Sequence, residues 1–134
     1  MSQGYFHRVT RETPTRFWVN NPTIEDAKRA IAAGAISCTT NPTFCSNMIK
    51  AKSESAYALS VIDSIVQQTA DDDTAADLVQ QRLVKRVMEN FLPLYERRPG
   101  LEGLVSIQGD PGPTTTPTTL SRRRCAFGNL QKTS

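Results

Sequence analysis

The tripeptide Asn-Pro-Thr occurs twice, at 21–23 and at 41–43, each time after a short β-rich run and before a helical one. The two runs are Thr15–Val19 (TRFWV) and Ala35–Thr39 (AISCT). Asn-Pro ends each of them, because proline has no N–H to give to a ladder and biases the preceding residue away from helical geometry. The offset of 20 residues is the length of one strand–turn–helix unit. Two such units in succession constrain the fold more than anything else in the chain. Strands alternating with helices predict a parallel sheet with right-handed crossovers. Neither tripeptide is a glycosylation acceptor, since proline holds the middle position.

The helices follow from caps and spacing. Thr23 fits an N-cap, with Glu25 and Asp26 in the first turn to complement the helix dipole. Ile24, Ala27 and Ile31 share a face, and Gly34 is a C-terminal stop. Phe44–Lys50 starts a second helix, which Thr43 can cap. Two helices without an intervening strand come next. Ser53–Gln68 carries Tyr57, Val61 and Ile65; Thr74–Tyr95 carries Val79, Leu83, Val87 and Phe91 at a 3.6-residue period. Pro93 is expected to kink or end the latter. Asp71-Asp72-Asp73 lacks the alternating ligands, glycine and terminal glutamate of a calcium loop, and is read as acid at a helix N-terminus. Gly103–Gln108 (GLVSIQ) is a third strand, ended by Gly109-Asp110-Pro111. Residues 1–14 are read as a lead-in.

Composition narrows the class. The 134 residues suit one domain, and 38% hydrophobic residues suffice for a core. No apolar run approaches the roughly 18 residues of a membrane span. The N-terminus has no apolar signal region, so a cytoplasmic protein is expected. Cys38, Cys45 and Cys125 are odd in number and form no CxxC, which disfavours a disulfide framework or a zinc site. The net charge of +3 is uneven. From Gly112 onward there are four basic residues and no acidic one; setting them aside leaves 12 basic and 13 acidic residues in 1–111, a net of −1. A body without basic surplus gives little support to nucleic-acid binding.

Three segments carry a resemblance: FWVNNP at the first strand, TTNPT after the second, and GLVSIQGDP at the third. In this order and spacing, from about Thr15 to Pro111, the chain resembles the transaldolase family, class I aldolases built on a (β/α)8 barrel. The resemblance implies an α/β fold of the parallel TIM-barrel family, of which 15–111 would supply only the first three βα units. It implies a ketose-phosphate substrate, a lysine Schiff base on strand four, and cleavage or transfer of a dihydroxyacetone unit without metal or cofactor. Barrel sites lie at the C-terminal ends of the strands. By position, Asn20 and Gln108 fall where the family has catalytic acids, and Thr40, Asn41 and Ser106 fall on substrate-contacting positions.

This chain departs from the family in two ways that matter. Asn20 and Gln108 are amides, which hydrogen-bond but take no proton at neutral pH. No strand with the family's lysine is recognisable: Lys28, Lys50, Lys52 and Lys85 are placed on helices, and Lys132 lies near the chain end. The chain is therefore expected to be inactive alone. The alternative is a non-catalytic partial barrel that binds sugar phosphate or a protein partner, a homo-oligomer included, through exposed strand edges. A third reading is anion binding through Arg122–Arg124.

Taken apart from the family, most of these residues also have plain readings. Asn20, Asn41 and Gln108 suit turns or strand ends on any fold. Cys38 is a small buried hydrophobe. His7 is a solvated side chain. Arg97-Arg98 are helix-end cations rather than a phosphate grip.

Residues 112–134, GPTTTPTTLSRRRCAFGNLQKTS, change character at once. Their composition fits a disordered basic tail. It also fits a read displaced by one nucleotide, since the codons from Thr114 permit DDDPDNVVEEALRFRQLAKDF, a capped amphipathic helix. The second reading predicts that the gene around the Pro111 codon encodes, in the neighbouring frame, a downstream strand containing lysine. Sequencing that frame checks it, and finding no such strand rules it out.

Overall fold

The computed structural model describes residues 4–108. Eight elements follow one another: α1 (Tyr5–Glu12), β1 (Trp18–Asn20), α2 (Ile24–Ala33), β2 (Ser37–Thr40), α3 (Thr43–Lys50), α4 (Ser55–Gln68), α5 (Asp72–Arg97) and β3 (Val105–Ile107). The strands form a three-stranded sheet in the order β1-β2-β3, both pairs parallel. The chain is thus a mixed α/β protein with a small parallel sheet. The frame-displaced or disordered tail, with Cys125, Arg122–Arg124 and Lys132, lies outside the described residues.

Register sorts the strand residues onto two faces. Val19 is opposite Cys38, and Cys38 is opposite Val105. This row joins Ala27, Phe44, Met48, Leu83, Val84, Val87 and Phe91 in one core cluster. Helices α2 to α5 therefore cover the face that carries the row. The next row, Asn20–Thr39–Ser106, points the other way, since successive side chains on a strand alternate.

The first Asn-Pro-Thr behaves as its sequence predicts. Thr23 caps α2, accepting a hydrogen bond from the Asp26 N–H at 3.2 Å, while the Asp26 carboxylate accepts from the Thr23 N–H at 3.3 Å. Bonds to the Thr23 side chain and to Arg29 hold the Asp26 carboxyl below the ordinary carboxylate range. Gly34 ends the helix with φ 114°, a left-handed conformation that glycine adopts without penalty. The second copy differs. Pro42 is itself helical, and the Thr43 N–H donates to the Asn41 side-chain oxygen at 3.0 Å. Thr43 is thus the first residue of α3 rather than its cap. The difference lies three positions downstream: where α2 has Asp26, α3 has Ser46, which has no carboxylate to complete a capping box.

Four further findings add to the sequence reading or depart from it. Residues 1–14 hold a helix, α1, whose Phe6 stacks on Phe17 at 4.3 Å. Eight residues are too few for helix formation in isolation; tertiary contact holds this one. Strand β1 begins at Trp18 rather than Thr15. The Arg16 guanidinium donates to the carbonyls of Thr10, Thr13 and Thr15, which folds that stretch back onto the end of α1. Pro93 neither ends nor breaks α5, which runs through to Arg97. Pro93 and Glu89, whose carbonyl loses its donor there, are both exposed, so water can take the missing bond. Lys52 lies in the turn between α3 and α4, not on a helix.

Two buried polar contacts fasten the long helix. Glu54, 3% exposed, accepts from Arg86 at 2.8 Å, and the Arg86 guanidinium lies 4.4 Å from the centre of the Tyr57 ring. At the far end Arg97 and Arg98 donate to the buried Glu102 at 2.6 and 3.3 Å. The helix-end cations thus have a carboxylate partner besides the dipole. Before β3 the chain turns through Gly103, at φ 71°, pressed onto the last turns of α5. A β-carbon there would lie 2.3 Å from the Tyr95 nitrogen and 2.6 Å from the Phe91 oxygen, both backbone atoms that cannot rotate away.

Gly103→Ala is expected to cost at least ~2 kcal/mol, from left-handed strain and the forced retreat of α5 from β3. Urea unfolding monitored by circular dichroism measures it. Gly100→Ala, also at positive φ but with nothing within 4 Å, isolates the strain alone and costs less.

Candidate functional site

The C-terminal ends of the three strands bring together the residues that the sequence marks. Thr39, half-buried, donates its hydroxyl to the side-chain oxygen of exposed Asn20 at 2.9 Å. Ser106 is opposite Thr39 on β3 and is also exposed. Gln108 follows two residues later, on the same face by alternation, with its N–H donating to the Thr40 carbonyl at 2.8 Å. Its own carbonyl accepts from the buried Gln80 amide at 3.3 Å, which anchors the strand end to α5. These side chains line the sheet face that carries no helix among the described residues.

Thr40 is placed elsewhere. It is 2% exposed, in register with Ile107 on the helix-covered face, and its hydroxyl donates to the Ser106 carbonyl at 2.8 Å. Its neighbour in sequence, Thr39, reaches the open face in its place. A one-residue step on a strand exchanges faces, and that step separates the two threonines.

Asn41 is half-buried and held from three sides. Its side-chain oxygen accepts from the Asn21 amide at 2.9 Å and from the Thr43 N–H at 3.0 Å. Its backbone N–H donates to the Asn21 side-chain oxygen at 2.9 Å. The two Asn-Pro turns are therefore tied by a reciprocal amide bridge. Asn21 takes a left-handed backbone, φ 50°, which asparagine tolerates better than most residues. That geometry lets its N–H reach the Thr39 carbonyl at 2.9 Å, extending the ladder by one bond. The bridge leaves the Asn41 amide nitrogen free of partners among the described residues.

Asn21 is the residue that sequence reasoning passes over. The signal was present in the repeat, since each Asn-Pro asparagine is the other's partner 20 residues away. Only the fold brings them within 3 Å.

The chemistry available to this set is narrow. Asn20, Asn21, Thr39, Asn41, Ser106 and Gln108 are amides and hydroxyls, with no ionisable side chain among them. They can donate and accept hydrogen bonds at fixed positions, but they cannot move a proton at neutral pH. None of the lysines among the described residues lies on a strand: Lys28, Lys50 and Lys85 are on helices and Lys52 is in a turn. Cys38, on the opposite face, is fully buried, and burial pushes its thiol up to about 12, so it supplies no thiolate. Burial also raises the half-buried Cys45. No group of three His, Cys, Asp or Glu among the described residues is placed to hold a metal ion. No helix among them is long and apolar enough to cross a membrane.

Comparison with protein-family models, curated proteins and solved structures finds no match to the chain.

Asn21→Ala removes both side-chain bonds of the bridge and forces alanine into φ 50°. The expected cost is roughly 2–3 kcal/mol, and Asn21→Gly, which relieves only the backbone strain, recovers about 1 kcal/mol of it. Chemical denaturation of the three proteins measures both numbers.

Proposed function

We propose that the chain is a three-unit portion of a transaldolase-like (β/α)8 barrel, and that its uncovered sheet face is one wall of a pocket for a ketose phosphate. The observation that carries this reading is the row Asn20–Thr39–Ser106, with Gln108 beyond it. These side chains stand at the C-terminal edge of a parallel sheet on the face opposite the helices, the side that would become the interior of a closed barrel. The three sequence segments behind the resemblance supply all of these residues. Because the comparisons match no family, the reading stands on these segments and on this placement.

The wall suits a polyol. Amides and hydroxyls in fixed, part-exposed positions match the alternating donors and acceptors of a sugar chain, and the free Asn41 amide nitrogen adds a donor beside them. The wall does not suit Schiff-base chemistry by itself. A nucleophilic amine is required, and the lysines among the described residues are on helices or a turn. An intact relative would bring that amine on a fourth strand and would cleave or transfer the dihydroxyacetone unit. This chain holds the substrate-orienting part, in a cytoplasmic setting and with no metal or nucleic acid in its role.

A second reading draws on one specific feature. Strands β1 and β3 are both sheet edges among the described residues, and one sheet face carries no helix. Wholly parallel sheets are almost always covered on both faces. A non-catalytic role, in which a protein partner or a second copy of the chain covers this face, follows from that.

Amide shifts on titration with fructose 6-phosphate separate the two readings. Shifts centred on Asn20, Thr39 and Ser106, reduced in Asn20→Ala, are expected, and borohydride in the presence of the sugar should trap no covalent adduct by mass spectrometry. An adduct would expose a nucleophile in this chain. No shift, with a concentration-dependent dimer by size exclusion, would leave the partner reading in place.

A further inference from the structure

The N-terminal end of the sheet is closed, but its sides are not. At that end His7 is half-buried rather than solvated as its sequence setting suggests, and its Nε2 donates to the Ala32 carbonyl at 3.0 Å. In the order β1-β2-β3, the outer side of β3 has no strand partner among the described residues. Which of its groups are free follows from the ladder. The Leu104 carbonyl accepts from the Cys38 N–H at 2.9 Å, and the Gln108 N–H donates to the Thr40 carbonyl at 2.8 Å. Successive residues of a strand point their N–H and C=O to opposite sides. Leu104, Ser106 and Gln108 therefore turn their backbone groups toward β2, and Val105 and Ile107 turn theirs outward. Val105–Ile107 contains no lysine, no proline and no bulge, devices that guard many edge strands; its one protection is its shortness.

The pattern on this edge is its own complement. An antiparallel copy of β3, centred on Ser106, sets Val105 of each chain opposite Ile107 of the other. Every outward N–H then meets an outward carbonyl. Opposed residues share a face of the sheet. Val105 and Ile107 both lie on the helix-covered face, so the row Val19–Cys38–Val105 continues into Ile107 of the second copy. Ile107 and Met88 of α5 pack against the core cluster but are only half-buried, so each has apolar surface left for such a contact. On the other face Ser106 meets Ser106, which is small, polar and uncharged. The β1 edge does not offer this. The Phe17 carbonyl and the Asn21 N–H are bonded to Ile36 and Thr39, so the outward residues of β1 are Trp18 and Asn20. The same arrangement there would set an indole against a carboxamide.

We propose that the chain forms a twofold dimer through antiparallel pairing of β3 with β3 of a second copy, which joins two three-stranded sheets into one. The occupant of this edge is a second copy because the edge complements itself about Ser106, both in hydrogen-bond pattern and in side-chain character. A contact between identical patches also closes on itself and leaves no further edge of the same kind. Three residues on each side make the contact weak and reversible. The dimer uses the side of the sheet and leaves its open face uncovered, so it rests neither on the sugar-phosphate reading nor on a partner covering that face.

The experiment is sedimentation equilibrium of the full chain over a range of concentrations, where a monomer–dimer equilibrium is expected. Ser106→Lys places like charges side by side on the twofold axis and should raise the dissociation constant about tenfold or more, as Ser106→Glu should. An equal mixture of the two variants should recover the dimer. Ser106→Cys should oxidise to a disulfide-linked dimer above the background set by the unaltered chain. Residues opposed in a non-hydrogen-bonded pair have Cα atoms about 4.5 Å apart, within disulfide range. Asn20→Cys, on the far edge, should give no such link. A chain that stays monomeric up to about 1 mM would overturn the proposal. So would a dimer that Ser106→Lys does not weaken and Ser106→Cys does not link. Circular dichroism checks that each variant is folded, and if Ser106→Lys is not, the Ser106→Cys link decides. Absence of sugar-induced shifts leaves the dimer standing, and absence of the dimer leaves the sugar titration as it was.

Discussion

The row Val19–Cys38–Val105 is the contact on which the rest of the molecule depends. Strands of three and four residues contribute too few hydrogen bonds to hold their own register. Register is fixed because one face of that row is buried against the helices. Sliding any strand by one residue would turn Val19, Cys38 or Val105 outward and bring Asn20, Thr39 or Ser106 into the core. The same constraint therefore sets both the core and the polar row at the strand ends. A fully buried Cys38 with its thiol kept neutral belongs to this arrangement: it fills space between two valines as a small hydrophobe.

Much of the architecture was legible because its determinants are local. The Thr23–Asp26 capping box, Gly34, the acidic start of α5 at Asp71 and the apolar period of α5 are each written within a few residues, and the structure repeats them. What was not legible depends on contacts distant in sequence. Helix α1 exists because Phe6 finds Phe17 and because Gly34 lets the α1 backbone approach; a β-carbon at Gly34 would lie 3.1 Å from the His7 nitrogen. Pro93 is tolerated because it faces water. Around the start of β3 the Ser37 hydroxyl takes the Leu104 N–H at 3.0 Å, between the backbone bonds from Gly103 to Ile36 and from Cys38 to Leu104. The difference between Thr23 and Thr43 could have been read from Asp26 against Ser46, but the identical tripeptide obscured it.

The candidate site divides along the same line. Asn20, Asn41, Ser106 and Gln108 were singled out by the family resemblance rather than by alternation or the Asn-Pro turns, and the structure places them at one edge. The exchange of Thr40 for Thr39 turns on where β2 begins, and strand boundaries are poorly fixed by sequence. The amide bridge between Asn21 and Asn41 is a relation between two turns, and neither turn contains it alone. Its effect is to make the two turns one rigid unit. The Asn41 side-chain oxygen holds both the bridge and the first N–H of α3, so the direction of its amide nitrogen is set by two bonds rather than by a free rotamer. An amide oriented this way meets a ligand without first losing side-chain freedom, which is what a rigid binding wall requires.

The two ends of the sheet are finished differently, and the difference has a physical logic. At the N-terminal ends, α1, the Arg97–Glu102–Arg98 cluster and the tight approach at Gly103 close the structure with buried, charge-paired contacts. At the C-terminal ends nothing among the described residues covers the strands, and the groups there are small, polar and part-exposed. Packing fixes the first end, so changes there cost stability. The second end carries little of the core, so its side chains can be chosen for what they bind. A wall of amides and hydroxyls without an ionisable group is stable in that position because each can be satisfied by water when no ligand is present. A lysine on the same row would need an opposing wall to exclude water and depress its pKa before it could act as a nucleophile. A single sheet face cannot supply that enclosure. The absence of an amine from the Asn20–Thr39–Ser106 row is thus consistent with the open geometry: covalent chemistry at the proposed site would require a wall opposite.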